Sequence, residues 1–266
     1  MYEFKYHRPE TVRQAANLLV KNEDAKLVAG GHTLIPVMKQ RLAAPSDVID
    51  LGRIAALIGI EATADALTIK AATTHYDVAQ SATAQKAIPA LAHLASLIGD
   101  PAVRYRGTIG GSLANNDPAA DYPAVVLALG ATITTNKRSI QADDFFKGLF
   151  STSLEDGEII MSVAFPIPAK AAYAKFPHPA SRFALTGVFV AKTKAGDVRV
   201  AATGASQNGV MRVGAIEDAL KANWSAAALD GVTISADGLM SDIHGSSIYR
   251  ANLIKVMAKR AVAAAG

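Results

Sequence analysis

The sequence predicts an α+β protein, built from antiparallel hairpins and helices in uneven order. Two hairpins can be read directly, since alternating apolar residues flank polar turns at Ala64-Asp65 and at Ala195-Gly196-Asp197. Helical faces with apolar residues three and four apart recur around them, yet the strands do not follow the even strand–helix alternation of a doubly wound sheet. Pro166 and Pro168, followed by Ala-Lys-Ala-Ala, mark a boundary near residue 170. A larger part, itself divided at about 1–55 and 56–170, is expected before it and a smaller part over 171–266 after it.

Taken in order, Val12, Ala15, Ala16 and Leu19 share one face of a first helix, with Thr11 as its cap. The apolar run from Ala25 to Ala29 is a short strand stopped by Gly30-Gly31. Leu34, Val37, Met38 and Leu42 give the next helical face, and Asp47–Leu51 another strand. Ile58, Ile60 and Ala62 alternate on one arm of the first hairpin, and Leu67, Ile69 and Ala71 on the other. Thr74 starts a helix expected to run through Gln85, and Ile88–Gly99 a second, largely apolar one. The stretch 107–116, with Gly110-Gly111, reads as an interruption before a buried helix that starts near Pro123 and ends at Gly130. Ala131–Thr135 and Gly157–Pro168 follow as strands. Past the boundary come the second hairpin, a helix over 212–223 and a terminal helix presenting Ile248, Ala251, Ile254, Met257 and Ala261 on one face.

With 266 residues, half of them hydrophobic, the chain is long enough to bury a sizeable core and is globular in composition. No stretch approaches the ~20 apolar residues of a membrane span. The N-terminus lacks the apolar core of a secretory signal, so a cytoplasmic location is expected. The net charge of +4 is mild and the basic residues are scattered, which argues against a nucleic-acid partner. There is no cysteine, which excludes thiolate-held iron–sulfur clusters, disulfides and cysteine nucleophiles from this chain. Redox chemistry here needs a cofactor held without sulfur.

Two glycine pairs stand out, in Val28–Leu42 and in Arg106–Pro123. A Gly-Gly between strand and helix is either a tight turn or an anion cradle. In the second case positive φ and missing Cβ atoms let successive N–H groups converge on a phosphate. Two such segments, both rich in hydroxyl side chains, suit a diphosphate, which needs donors from more than one direction. Neither fits G-x-x-x-x-G-K-[ST] or G-x-G-x-x-G.

These same segments carry a resemblance. AGGHT (Ala29–Thr33) followed by LIPVMKQRL, and TIGGS (Thr108–Ser112) followed by LANNDPAADYPAVVLALGA, resemble the FAD-binding medium subunit of molybdenum hydroxylases. That group includes the carbon monoxide dehydrogenase medium chain and the flavin domain of xanthine dehydrogenase. The resemblance extends to YHRPETVRQAANLL, to GEIIMSVAFPIP and to YAKFPHPASRFALTGV, and so covers nearly the whole chain. It implies a two-part FAD-binding domain of the vanillyl-alcohol oxidase type over 1–170, and a C-terminal domain of the carbon monoxide dehydrogenase flavoprotein type over 171–266.

By that resemblance Ala29, Gly30, Gly31, His32, Thr33 and Leu34 hold the FAD pyrophosphate from one side, and Thr108, Gly110, Gly111 and Ser112 from the other. His32 is a surface histidine or a wall of the cofactor site; the resemblance favours the wall, and the six histidines show no metal-ligand spacing. Asp117 and Asp121 either cap the following helix, worth roughly 1 kcal/mol, or meet the cofactor. The resemblance places Asp121 at the ribityl or ribose hydroxyls, which a carboxylate can accept from, and leaves Asp117 open. Asn115 and Asn116 are loop residues or cofactor contacts. Ile98 is a core residue or packs near the flavin ring, and the main chain of Ile160 matches a position at the ring's polar edge. Lys175 matches, across a gap, a position facing the isoalloxazine, where a cation stabilises anionic reduced flavin; Tyr173 is the alternative neighbour. No side chain is assigned as acid, base or metal ligand.

The function implied is electron transfer within a heteromeric molybdenum hydroxylase. A large molybdopterin subunit oxidises substrate, and a small iron–sulfur subunit with two [2Fe–2S] clusters delivers the electrons to FAD in this chain. An external acceptor takes them on. The absence of cysteine fits that division of labour. The rival expectation is a self-contained FAD-dependent oxidase or reductase, which requires its own acid or base over the ring.

Overall fold

A computed structural model describes all 266 residues. The first fifty form a small unit: β1 (Lys5–His7), α1 (Val12–Lys21), β2 (Lys26–Val28), α2 (Leu34–Lys39) and β3 (Asp47–Asp50). Its three strands lie parallel in the order β1-β3-β2. The amphipathic helix begins at Thr11 as expected. The Thr11 side chain accepts from the Gln14 N–H at 3.2 Å, while Gln14 Oε1 accepts from the Thr11 N–H at 3.2 Å, a reciprocal capping box. Ala15, Ile49, Ile54 and Leu57 make the buried seam beneath it.

The second unit contains β4 (Ile60–Ala62), β5 (Ala66–Lys70), α3 (His75–Gln80), α4 (Ala82–Ala87), α5 (Pro89–Ser96), α6 (Pro101–Arg104), α7 (Ile109–Asn115) and α8 (Tyr122–Leu129). It continues with β6 (Thr132–Thr135), β7 (Ser139–Gln141), α9 (Ala142–Phe145), β8 (Phe146–Gly148), β9 (Ser151–Thr152) and β10 (Ile160–Pro166). Five strands pair antiparallel in the order β4-β5-β10-β6-β7, which brings the chain-distant hairpin and β10 side by side. Every residue of α8 is buried. It packs against β10 of this sheet and also against the sheet that follows.

That last sheet comprises β11 (Lys170–Pro177), β12 (Ala184–Lys192), β13 (Val198–Ser206) and β14 (Gly209–Arg212), antiparallel in sequence order. The helices α10 (Gly214–Ala222) and α11 (Ser247–Ala265) cover its far face. Side-chain alternation explains why β12 reads as an unbroken apolar run. Phe189 and Ala191 point into the core around α8, whereas Val188 and Val190 point into the core under α11. The sheet is thus buried on both faces, and Tyr173 of β11 belongs to the same core as Tyr122 of α8.

Several expectations are corrected. The single helix expected after Thr74 is two, because Ser81 ends α3 and caps α4, accepting from the Ala84 N–H at 3.2 Å. Gly110 and Gly111 do not interrupt; they form the first turn of α7, with Thr108 as its cap. Leu42 lies beyond α2 and is 74% exposed, past Arg41 at φ +60°. Ile248 is 74% exposed, off the buried stripe that its neighbours Ala251, Ile254, Met257 and Ala261 do form. The edge strand β4 leaves Ile58 exposed and Ile60 half-buried, since only β5 faces the core with Leu67 and Ile69.

One ionic junction ties the β6–β7 turn to the chain entering β10. Glu158 is buried and accepts from Thr135 Oγ1 at 2.7 Å, Arg138 Nε at 3.0 Å, Arg138 Nη2 at 3.1 Å and the Glu155 N–H at 2.8 Å. Burial pushes this carboxyl up, but the bonds from Arg138, the Glu155 main chain and Thr135 outweigh it and hold it at about 2. A depressed folded value means the stabilisation is complete above the ordinary carboxylate range and is lost as pH falls toward 2. Glu158→Gln is therefore expected to lower the melting temperature at neutral pH. It should also flatten the loss that the native chain shows between about pH 5 and about pH 2.5, read by thermal melts across that range.

Candidate functional site

The first glycine motif joins the end of β2 to α2. Val28 is anchored against Val48 and Met38, and the chain then turns at Gly31 with φ +75°, a conformation that favours glycine. From Ala29 to Leu34, six consecutive main-chain N–H groups find no acceptor in the protein. Ala29, Gly30, Gly31 and Leu34 are half-buried; His32 and Thr33 are exposed. Half-buried amides left unpaired in sequence are uncommon and costly, and an array of them is what an anion satisfies.

The second motif differs from expectation. Thr108 Oγ1 accepts from the Gly111 N–H at 3.2 Å, Gly110 N–H donates to Ala71 O at 2.8 Å, and Ser112 N–H to Thr108 O at 3.0 Å. These three amides are engaged within the fold, so this motif offers a close-fitting surface, and most of the free main-chain donors sit on the first. The two motifs nevertheless meet. A Cβ on Gly30 would lie 2.2 Å from Arg106 O and 2.7 Å from Gly107 Cα, so main chain packs on main chain there.

Both motifs line one cleft of about 760 Å³, within the range of small-molecule sites. Ala29, Gly30, Gly31, His32, Thr33, Leu34, Thr108, Gly110, Gly111 and Ser112 all border it. So do Ile98, Asn115, Asp117, Asp121 and Ile160. Lys175 does not. Its ammonium, with the side chain 3% exposed, donates to Asp121 Oδ2 at 2.9 Å and to Leu97 O at 3.0 Å. Tyr173 is likewise turned inward, its hydroxyl donating to Asp121 Oδ1 at 2.6 Å.

Asp121 is not a helix cap. Its backbone is already helical and its side chain makes no capping bond. Burial pushes its carboxyl up, opposed by the Lys175 charge and the bonds from Tyr173 and Lys175. The Tyr173 phenol is pushed well up by burial and by Asp121, and so stays protonated. Asp117 closes a local turn, accepting from the Ala119 N–H at 2.8 Å. Asn116 is buried at φ +43° and donates to Gly148 O at 2.7 Å and Ser151 O at 2.8 Å, holding the β8–β9 turn.

The sequence reading missed His75, Gly107, Glu158, Phe150, Ser181 and Phe183, all of which border the cleft. Phe150 stands 61% exposed at φ +54°, and Phe183 is half exposed. His75 is buried beneath Gly107, with its main-chain N–H donating to Gly107 O at 2.9 Å and its ring 5.3 Å from that of Tyr122. Burial, with the charges of His32 and Arg104, pushes its imidazole down to about 3. No local pattern marks these residues, because each reaches the cleft through a crossing of distant segments. No three His, Asp or Glu side chains converge as a metal-ligand set.

Against known proteins, residues 2–168 match the family described as FAD binding domain in molybdopterin dehydrogenase. The nicotine 6-hydroxylase medium subunit of Paenarthrobacter nicotinovorans is 36% identical, covering 98% of this chain and 97% of its own. The carbon monoxide dehydrogenase medium chain of Hydrogenophaga pseudoflava is 35% identical, covering 98% and 96%. Among solved structures, reconstituted CO dehydrogenase from Oligotropha carboxidovorans has a chain that superposes with TM-score 0.90 at 32% identity, covering 99% of this chain and 97% of that one.

Two expectations follow from the geometry. Gly30→Ala drives a methyl into the Arg106 carbonyl and is expected to cost at least about 1–3 kcal/mol of stability as overpacking, read by denaturant melts. The His75 imidazole is expected to stay neutral from pH 8 down to about 3. Its ring resonances in an NMR titration should not move through the range where exposed histidines do.

Proposed function

The chain belongs to the family of FAD-binding domains of molybdopterin dehydrogenases, and on that footing we propose that it is the flavin-carrying medium subunit of a heteromeric molybdenum hydroxylase. Its residues fit FAD. Six free amides and the Gly31 turn suit a diphosphate, the cleft volume suits a dinucleotide, and no cysteine or cluster of ligands competes for the role. The run of unpaired N–H groups from Ala29 to Leu34 is the observation that carries the reading.

In this reading the main chain of 29–34 binds the pyrophosphate, with Thr108 and Ser112 bordering it from the opposite wall. Asp121 accepts from sugar hydroxyls, Asp117 and Asn115 border the same wall, and Ile98 and Ile160 bound the flavin ring. FAD held there would supply the electron relay between two [2Fe–2S] clusters of a small iron–sulfur subunit, themselves served by the molybdopterin cofactor of a large one, and an external acceptor. The protein positions the ring and sets its surroundings; no side chain is assigned a proton transfer. The partition into a flavin domain over 1–170 and a C-terminal domain over 171–266 belongs to the same proposal. So does a cytoplasmic location, which accords with no helix being long and apolar enough to cross a membrane. A self-contained oxidase would require a free acid or base over the ring, whereas Asp121 and Glu158 are both tied to protein partners.

Purification with native partners is the test. The complex is expected to contain iron and molybdenum, with one FAD in each copy of this chain. The chain alone should take up FAD and turn yellow. A folded chain that stays colourless in excess FAD overturns the reading, and FAD without iron or molybdenum in the native preparation favours the self-contained oxidase.

A further inference from the structure

The turn from β11 to β12 stands at the rim of the cleft, and a histidine organises it. Ser181 and Phe183 of this turn border the cleft, and Phe183 is half exposed. His178 holds both. Its main-chain N–H donates to Phe183 O at 2.8 Å, and its carbonyl accepts from the Arg182 N–H at 2.9 Å. Its ring Nδ1 accepts from the Ala180 N–H at 3.2 Å and from the Ser181 N–H at 3.1 Å. A ring nitrogen that accepts from N–H groups carries a lone pair, so the proton of this imidazole is on Nε2. Nε2 lies 3.1 Å from Nδ1 of His244, with the rings edge to face at 4.3 Å. His178 is thus the donor of that bond, and His244 Nδ1 keeps its lone pair as well. His244 in turn belongs to a fixed support. Its N–H donates to Asp242 Oδ1 at 2.9 Å, and Asp242 Oδ2 accepts from Arg250 Nη2 at 2.7 Å. Arg250 of α11 is buried and donates through Nη1 to Leu185 O at 2.8 Å and Gly204 O at 2.6 Å, which ties the support to β12 and β13. The charged and titratable groups of the elements meeting here are Arg182 of the turn, Asp242 of the support, and Tyr249 and Arg250 of α11. Asp242 and Arg250 are bonded to each other, and the one hydrogen bond from turn to support is that between the two histidines.

We propose that the His178–His244 contact is a proton-sensitive latch that holds the β11–β12 turn, with Ser181 and Phe183, closed at the rim of the cleft. A second proton fits neither ring in the closed form. On His178 Nδ1 it would point at the Ala180 and Ser181 N–H groups, and on His244 Nδ1 at the Nε2–H of His178. Histidine is the side chain that changes charge in the physiological range. The open turn takes up a proton that the closed turn cannot, so falling pH favours the open form. The ligand retained by the closed turn is the bound FAD, so the inference rests on the FAD reading above.

Two measurements on the full chain test this. The first is the rate of FAD release at about pH 8 and about pH 5.5, which bracket the ordinary histidine range. The native chain is expected to release FAD about fivefold faster at the lower pH, the size of effect that one or two hydrogen bonds supply. His244→Ala removes the acceptor from an exposed position, so it should release FAD at the fast rate at both pH values. His244→Gln offers a carbonyl oxygen that takes up no proton in this range, and should restore slow release at the higher pH. The second measurement is ring-nitrogen NMR without FAD. At the higher pH it should show a lone pair on Nδ1 of both histidines and a coupling between His178 Nε2 and His244 Nδ1 across their hydrogen bond. That coupling should vanish at the lower pH. A native release rate indifferent to pH, an acceleration that persists in full in His244→Ala, or a proton on His178 Nδ1 at the higher pH would each overturn the proposal. A native chain that fails to bind FAD sinks the flavin reading instead, and the ring-nitrogen spectra still judge the latch.

Discussion

The contact on which the site depends is made by backbone alone. Gly30 lies against the Arg106 carbonyl and Gly107 Cα, at a separation that leaves no room for a Cβ. This contact closes the small parallel unit onto the second unit and sets one glycine motif against the other. It also leaves the amides of 29–34 pointing where no protein acceptor reaches them. Half-buried N–H groups are costly to leave unmade, so the fold holds this loop in a state that an acceptor from outside the protein would complete. Main-chain donors suit the task, because they carry no rotamer entropy to lose on binding, whereas long cationic side chains do.

The two motifs look alike in sequence and act differently. Around Gly110 and Gly111 the amides are spent on α7 and on Ala71, and Thr108 uses its hydroxyl as the helix cap. This anchors α7 at the end of β5 and fixes the surface that the first motif faces. One segment keeps its donors free and the other braces. The wall from Asp117 to Asp121 is braced in turn by the last sheet: Thr203 Oγ1 donates to Pro118 O at 3.0 Å and Ala120 O at 2.7 Å, and Gly204 N–H donates to Pro118 O at 2.9 Å. The cleft is therefore a product of the three larger sheets.

Local chemistry was legible in the sequence, and chain crossings were not. The Thr11 cap, the hairpin around Ala64-Asp65, the helix ending at Gly130 and the long β12–β13 hairpin all follow from neighbours within a few residues. The break at Ser81 was missed because its serine serves two helices, and the 75–85 pattern is apolar enough to read as one. The helix α7 was missed because two glycines oppose helix formation locally, while the Ala71 contact and the Thr108 cap overrule them. In the site, residues sharing a motif were found together. His75 could not be found, since what makes it part of the cleft is Gly107, more than thirty residues away. Lys175 was found, but its partners were not, because nothing in a linear pattern says that Asp121 and Leu97 lie beside it.

Those partners bear on how the C-terminal sheet relates to the cleft. A sheet that only covered α8 would need apolar side chains, and Phe189, Ala191 and Ala201 supply them. At the cleft end of β11 the same face carries a hydroxyl and an ammonium instead, both spent on a single carboxylate. Burying these groups forfeits hydration that no apolar neighbour returns. The ammonium and the hydroxyl are the two side-chain partners of Asp121, which stands at the border of the cleft. The matched segment ends before this strand, so the part of the chain beyond that segment braces one wall of the cleft through Asp121.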